Sequence, residues 1–229
     1  MPEENSNKRV AVFDFCETLV DFQTANAFVD YVRRNTNYTS VKLLNFIFVL
    51  FVKSQVVKLL HFITRHKISI GKHIKLWQLC GIKQQTIEML SVGFYEQCIK
   101  PHLIDETIGI MKQLQSDGYV VGLSSGGYDI YLRLFVKDFG LDFCQSSEID
   151  FKNGRCTGRM KDNDCMRNEK VLRLNKSFGK SLVSSVAYSD SKSDLPLLLW
   201  AEHGVVVSRN THQKWCEKYN LQEIIWHKK

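Results

Sequence analysis

The sequence is poor in the features that mark several large classes of protein. It has 3 prolines and 13 glycines in 229 residues, too few for a collagen-like or low-complexity chain. Its seven cysteines (Cys16, Cys80, Cys98, Cys144, Cys156, Cys165 and Cys216) are odd in number and include no CxxC pair. That pattern argues against a disulfide framework and against a zinc site. No run of ~20 apolar residues, the length needed to span a bilayer, is present. The most apolar stretch, VKLLNFIFVLFV over Val41–Val52, is short and broken by Lys42 and Asn45. Met1–Val10 is polar and charged and has no signal-peptide h-region, so reduced thiols in a cytoplasmic setting are expected. No GxGxxG follows the first strand pattern and no GxxxxGK[ST] occurs, which removes the dinucleotide and P-loop fingerprints. There is no HxxxH, no HExxH and no internal repeat.

What remains is an ordinary globular composition, 44% hydrophobic and 24% charged, in a chain long enough to bury a core without covalent staples. The length suits one large domain, or a domain with a substantial insert. The formal charge is +7, and its distribution is uneven. Between Val41 and Leu103 stand nine basic residues (Lys42, Lys53, Lys58, Arg65, Lys67, Lys72, Lys75, Lys83, Lys100) against Glu88 and Glu96. The rest of the chain balances 22 basic with 22 acidic residues. The whole surplus therefore lies in one apolar block, which also holds His61, His66, His73 and His102. An anionic partner is implied. The Val41–Val52 run reads either as a buried helix or as a helix lying on a lipid surface, with Lys53 and Lys58 suited to anionic headgroups.

Periodicity divides the chain into two kinds of region. RVAVFDF over Arg9–Phe15 is a β-branched and aromatic run, hence a strand. Phe22–Arg34, Val41–Arg65, Ile70–Leu79 and Gln84–Ile99 have helical apolar spacing, and no strand pattern appears between Asp21 and Lys100. Pro101 closes that block. Beyond it the pattern alternates: helix Leu103–Ser116, strand Tyr119–Ser124, helix Tyr128–Asp138, strand Leu141–Gln145, and an Asn153-Gly154 hairpin within Glu148–Met160. Helix Arg167–Phe178, strand Leu182–Tyr188, helix Leu195–Glu202 and a last strand Gly204–Ser208 follow. Strands alternating with helices predict an α/β core with a parallel sheet covered on both faces. The expected division is a core of residues 1–20 and 103–229, with an all-helical cap, 21–102, inserted after the first strand.

In such sheets ligands bind beyond the carboxyl ends of the strands. The first strand ends in Asp14-Phe15-Cys16-Glu17-Thr18. The second ends in Ser124-Ser125-Gly126-Gly127. The strand after the Arg167 helix ends in Ser189-Asp190, with Asp194 four residues on, and Lys170 lies on the helix before it. Phosphate chemistry uses these groups. Mg²⁺ takes carboxylate and carbonyl oxygens and keeps waters. A hydroxyl and the amides of a Gly-Gly turn at a helix N-terminus suit phosphoryl oxygens. A lysine supplies charge where negative charge accumulates. Ser124 competes with Ser125 for this role, Arg167, Arg173 and Lys176 lie near Lys170, and Asp194 could also cap the Leu195 helix.

The order and spacing of these residues resemble the four motifs of the haloacid dehalogenase (HAD) superfamily: D-x-D-x-T at Asp14–Thr18, S-G-G at Ser125–Gly127, the lysine at Lys170, and D-x-x-x-D at Asp190–Asp194. VVGLSSGGYDIYL, and a helical insert between the first two motifs, look like the phosphoserine-phosphatase branch. The resemblance implies a HAD-like (Rossmannoid) core carrying a Mg²⁺-dependent phosphohydrolase or phosphotransferase site. Asp14 would accept the phosphoryl group. Mg²⁺ would rest on the Asp14 carboxylate, the carbonyl of Cys16 and Asp190, with Asp194 supporting its waters. Ser125, the Gly126 amide and Lys170 would bind phosphate, and Thr18 would hold the nucleophile loop and be counted with the phosphate ligands.

Two positions depart from the family pattern. The second Asp of the first motif, the usual general acid and base, is Cys16. A thiol of pKa ~8.5 is a poor donor to an alkoxide, and a missing acid–base group removes about 10²–10⁴ in rate. Glu17 offers no obvious replacement. The second departure is Gln23, where phosphoserine phosphatases carry a Glu that meets the substrate amine. With the basic cap it favours a small anionic or amphiphilic phosphate ester over phosphoserine. The alternatives are a phosphate-binding pseudoenzyme, and a cap that docks on an anionic membrane. Nucleic acid is the less expected partner.

Overall fold

The computed structural model describes residues 9–36, 70–179 and 184–227. The Val41–Val52 run and the whole of the helix expected over Val41–Arg65 lie outside that set. Val10–Phe13 forms β1 and is completely buried. A continuous apolar strand of this kind needs cover on both faces, as in a parallel sheet. The strands that follow are β2 (Val120–Tyr128), β3 (Phe143–Ser147), β4 (Ile149–Lys152), β5 (Arg155–Met160), β6 (Ser185–Ser189), β7 (His203–Arg209) and β8 (Gln222–Trp226). Among the described residues six of them form one sheet in the order β3-β2-β1-β6-β7-β8, parallel throughout. From β1 the chain moves outward through β2 to β3, and from β6 outward the other way through β7 to β8. The connections therefore diverge between β1 and β6, which is where a crevice opens at the carboxyl ends.

The helices are α1 (Thr24–Arg34), α2 (Ile70–Trp77), α3 (Gln84–Phe94), α4 (Asp105–Ser116), α5 (Asp129–Phe139), α6 (Asn168–Phe178), and the short α7 (Leu195–Leu198) and α8 (Trp215–Lys218). The helix expected over Gln84–Ile99 stays α-helical to Phe94 and then widens to a π-helix over Tyr95–Ile99. Among the described residues no helix is long and apolar enough to cross a membrane.

Two expectations need correcting. First, β2 does not stop at Ser124 but runs through Ser125-Gly126-Gly127 to Tyr128, with a register shift against β3 between Ser124 and Tyr128. The glycines thus sit in a bulged strand end rather than in a separate turn. Second, Gly204–Ser208 is not the last strand, because β8 pairs in parallel with β7. The hairpin after β3 also meets the helices of the 70–94 segment. The β4–β5 hairpin turns at Asn153 (φ 52°) and Gly154 (φ 69°), as its sequence predicts, and β5 docks on the segment that joins α2 and α3. Gly81 N–H donates to Cys156 O (2.8 Å), Cys156 N–H to Ile82 O (2.9 Å) and Gln84 N–H to Gly154 O (2.9 Å). Gly158 permits this approach: its φ is +75°, and a Cβ there would lie 2.9 Å from Trp77 Cα.

Helices α1 and α3 share one apolar cluster with α5 and the sheet. Phe28 of α1 packs on Phe94 of α3 (ring centroids 5.3 Å) and on Tyr131 of α5 (5.1 Å), and Phe94 and Tyr131 lie 5.4 Å apart. All three are buried. Phe28→Ala is expected to cost about 3–5 kcal/mol, read as a lower denaturation midpoint with an unchanged slope against urea.

Candidate active site

The site is assembled by strand register. Phe13 pairs with Tyr188, so the next residues of β1 and the last of β6 leave the sheet side by side. Asp14 follows β1 and donates its backbone N–H to Tyr188 O (2.9 Å). Asp190 follows β6. Both face a cleft of about 230 Å³, also lined by Cys16, Ser125, Gly126, Lys170 and Asp194. Of the eight residues expected from sequence, these seven come together.

Thr18 is the exception. It is fully buried and does not line the cleft. Its hydroxyl accepts from Asp190 N–H (3.0 Å), and its carbonyl accepts from Thr107 Oγ1 (2.6 Å). Thr18 therefore ties the loop after β1 to the loop after β6 and does not belong with the phosphate ligands. Ser125 rather than Ser124 faces the cleft. Ser124 turns toward Gln145 (3.5 Å) and Cys165 (3.9 Å).

Lys170 is 2% exposed and is the basic residue of its helix that lines the cleft. Its ammonium donates to Asp14 Oδ1 (2.9 Å) and Asp194 Oδ2 (2.5 Å). Its neighbour Arg173 goes to Glu169 and to the carbonyls of Ser146 and Asn163. Burial alone would push the Lys170 ammonium down, but the two carboxylates outweigh it and hold the group above its ordinary value. Lys170 thus stays cationic at neutral pH. Asp194 also accepts from Ser189 Oγ (2.9 Å) and makes no side-chain capping bond to α7. Its expected role as a helix cap gives way to that of a counter-ion for Lys170.

The electrostatic balance of the cleft is negative. Asp14, Asp190 and Asp194 face two lysines, of which Lys170 goes to Asp14 and Asp194 and Lys72 to Asp164 outside the cleft lining. Burial raises Asp14 above the usual carboxylate range; Lys170 opposes that rise and Asp194 adds to it. Asp190 is raised to about 8, first by burial and then by Asp14, Glu17 and Asp194. Among the described residues no cluster of three or more His, Cys, Asp or Glu side chains forms a ready ion cage, because Lys170 lies between Asp14 and Asp194. Mg²⁺ needs no such cage, since it commonly takes one or two carboxylates and keeps its waters. Asp190, half-buried and in no ion pair among the described residues, beside a second carboxylate and a loop carbonyl, fits a hard divalent cation.

Cys16 is buried against the start of α1. Its Sγ lies 3.1 Å from Thr24 Oγ1 and accepts from Thr24 N–H at 3.4 Å. Thr24 Oγ1 is in turn 2.8 Å from Tyr131 OH. Burial, and then the charge of Asp14, push the thiol up to about 12. It is therefore a protonated, nearly inert thiol at neutral pH, neither a nucleophile nor an effective acid.

Further residues line the cleft. Gln23 and Asn26 come from the start of α1, Lys72 from α2, Met166 from the loop before α6, and Ser191 and Ser193 from the turn after β6. Gln23 donates to Glu17 Oε2 (2.6 Å). Ser191 and Ser193 sit inside the D-x-x-x-D spacing and could have been noticed there. Nothing local in the sequence marks Asn26, Lys72 or Met166.

A family model described as haloacid dehalogenase-like hydrolase matches residues 11–199. The phosphoserine phosphatase of Methanocaldococcus jannaschii is 24% identical over 193 residues, covering 83% of this chain and 81% of that protein. The phosphoserine phosphatase of Lactococcus lactis is 25% identical over 125 residues, 53% of this chain and 58% of that one. Among solved structures, a protein of unknown function from Bordetella pertussis superposes with a TM-score of 0.75 at 19% identity, covering 95% of this chain and 98% of that chain. A phospho-aspartyl intermediate analogue of phosphoserine phosphatase superposes with a TM-score of 0.58 at 19% identity, covering 96% and 93%. These likenesses show the fold. Taken with the match of the family model across the core, they lead to one conclusion: the chain belongs to the haloacid dehalogenase-like hydrolases, in the branch that resembles phosphoserine phosphatases.

Proposed function

We propose that this protein is a Mg²⁺-dependent phosphomonoester hydrolase or phosphotransferase working through an aspartyl phosphate on Asp14. The observation that carries the reading is the state of Asp14: a buried carboxylate at the cleft floor whose Oδ1 is held by Lys170. That contact leaves Oδ2 to attack phosphorus. A P–O bond forms on Asp14 as the bond to the leaving oxygen breaks, and that oxygen takes up a proton from solvent water. Water then attacks the acyl phosphate, releases inorganic phosphate and restores the carboxylate; an acceptor hydroxyl in place of water gives transfer. Ser125, the Gly126 amide and Lys170 hold the phosphoryl oxygens. Asp14, Asp190 and the carbonyl of Cys16 would hold Mg²⁺, which supplies positive charge where the phosphoryl oxygens gain negative charge. Residues 21–102, extended by the β4–β5 hairpin, act as the cap.

The leaving group meets Gln23 and Asn26 and, among the described residues, no carboxylate from the segment 21–102. A compact anionic or amphiphilic ester suits this lining better than one with a free ammonium. Purified protein with Mg²⁺ should release phosphate from such esters in preference to phosphoserine. A preference for phosphoserine would reject this substrate class, and release unaffected by EDTA would reject the metal. Cation binding is also expected to appear without turnover. Mg²⁺ at about 100 times its dissociation constant stabilises a fold by about 2.7 kcal/mol, which raises the melting temperature by several degrees in a chain of this size. Asp190→Asn should abolish that rise. One observation, Cys16, favours a second reading: a protein that binds phosphate esters and does not turn them over.

A further inference from the structure

Lys72 lies outside the four motifs, yet it reaches the core from the cap. It sits on α2 with a side chain only 10% exposed. Its ammonium donates to the Gly126 carbonyl, to Ser147 Oγ (3.1 Å) and to Asp164 Oδ1, and it lies 5.1 Å from the centre of the Tyr128 ring. An ammonium has three N–H donors, and here all three are used on core acceptors. No donor is left for a ligand, so Lys72 is not built to read a substrate. Each acceptor instead belongs to a different segment around the phosphate site. Gly126 is the bulged end of β2, Ser147 ends β3, and Asp164 lies in the loop that leads into α6 and Lys170.

Asp164 depends on this contact. Ser147 Oγ also donates to its Oδ1 (2.6 Å), and Cys165 N–H donates to Ser147 Oγ (3.0 Å), while Asp164 Oδ2 is buried with no hydrogen-bond partner. Without Lys72 a largely buried carboxylate, its side chain 11% exposed, would lose its ion-pair partner, which is strongly unfavourable. Lys75, one turn further along α2, provides the contrast: its ammonium pairs with Asp30 (2.7 Å) inside the cap.

The geometry points to Lys72 as a positioning residue that, through Asp164 and Ser147, pins the Gly126 peptide and couples the seating of the cap to the phosphate-binding loop. This inference rests on the proposed reading of Ser125 and Gly126 as phosphate ligands. With the Lys72–Asp164 pair intact, the Gly126 amide is held ready for phosphoryl oxygens, and the Gly127 amide braces the site by donating to Ser125 Oγ (3.2 Å). With it broken, the bulged strand end loosens although no phosphate ligand has been changed.

The test compares Lys72→Met, Asp164→Asn, the double variant and Lys75→Met in the full chain. Inorganic phosphate affinity is measured by calorimetry with Mg²⁺ present, and amide hydrogen exchange is followed over residues 122–128 without ligand. Lys72→Met should weaken phosphate binding at least about tenfold, within the ~10²-fold that a small misplacement of binding groups can cost, and should speed exchange at Gly126 and Gly127. Asp164→Asn should do the same, the double variant should be no worse than the worse single one, and Lys75→Met should match wild type. Should Lys72→Met fail to fold, Asp164→Asn decides alone, because it keeps the side-chain volume and leaves no carboxylate stranded. Unchanged exchange at Gly126 and Gly127 in Asp164→Asn would overturn the inference, as would equal effects of Lys72→Met and Lys75→Met. If wild-type protein binds no phosphate at all, the proposed function fails, and the exchange measurement still decides whether the tether exists.

Discussion

Asp14→Asn is expected to abolish phosphate release, with kcat falling at least about 10⁴-fold, the scale on which loss of a nucleophile acts. That fall corresponds to about 5 kcal/mol of barrier. The side chain keeps its volume and can still face Lys170, whose second partner, Asp194 at 2.5 Å, is untouched. The change also removes one carboxylate from a cleft in which burial already raises Asp14 and Asp190. The variant should therefore melt no lower than wild type, and the loss should be chemical. Acid quenching during turnover of a phosphorus-labelled ester separates the steps: wild type should carry label on the protein, and Asp14→Asn none. Turnover that persists in this variant would reject the mechanism, whatever the substrate.

Cys16→Asp should raise kcat by about 10²–10⁴, the usual contribution of a positioned acid–base group, and leave KM nearly unchanged. The structure makes this more than a change of residue type. The pocket around position 16 already offers donors, Thr24 N–H and Thr24 Oγ1, at the first turn of α1. A helix N-terminus favours a carboxylate there, while burial and Asp14 would hold part of it protonated, as a general acid requires. The thiol now in place, pushed up to about 12, can neither protonate a leaving oxygen efficiently nor take a proton from water. A gain of that size would show a site complete except for one group. An inactive wild type and an equally inactive Cys16→Asp would favour the binding-only reading and turn attention to the cleft's affinity for phosphate esters.

Much of the core was legible because its signals are local. The apolar run of β1 announces a strand covered on both faces, Asn153-Gly154 announces a tight hairpin, and the carboxylates, glycines and lysine recur at strand ends in chain order. Other features were less legible. QEIIW does not read as a strand, because its few apolar residues sit beside polar ones and it forms β8 only where the β7 edge receives it. The register shift that carries β2 past Ser124 arises from pairing with β3, more than fifteen residues away in sequence.

Sequence alone determined the parallel α/β core, the helical character of much of the insert, and the set of groups able to meet a phosphate and a divalent ion, since strand periodicity and strand-end chemistry are properties of short segments. Tertiary structure decided which groups touch. It gave Lys170 to Asp14 and Asp194, turned Thr18 toward Asp190 instead of the cleft, set Cys16 against Thr24, and brought Lys72 across from the cap to Gly126. Those pairings depend on sheet order and on the docking of the cap, where partners from distant parts of the chain compete for the same buried donors and acceptors.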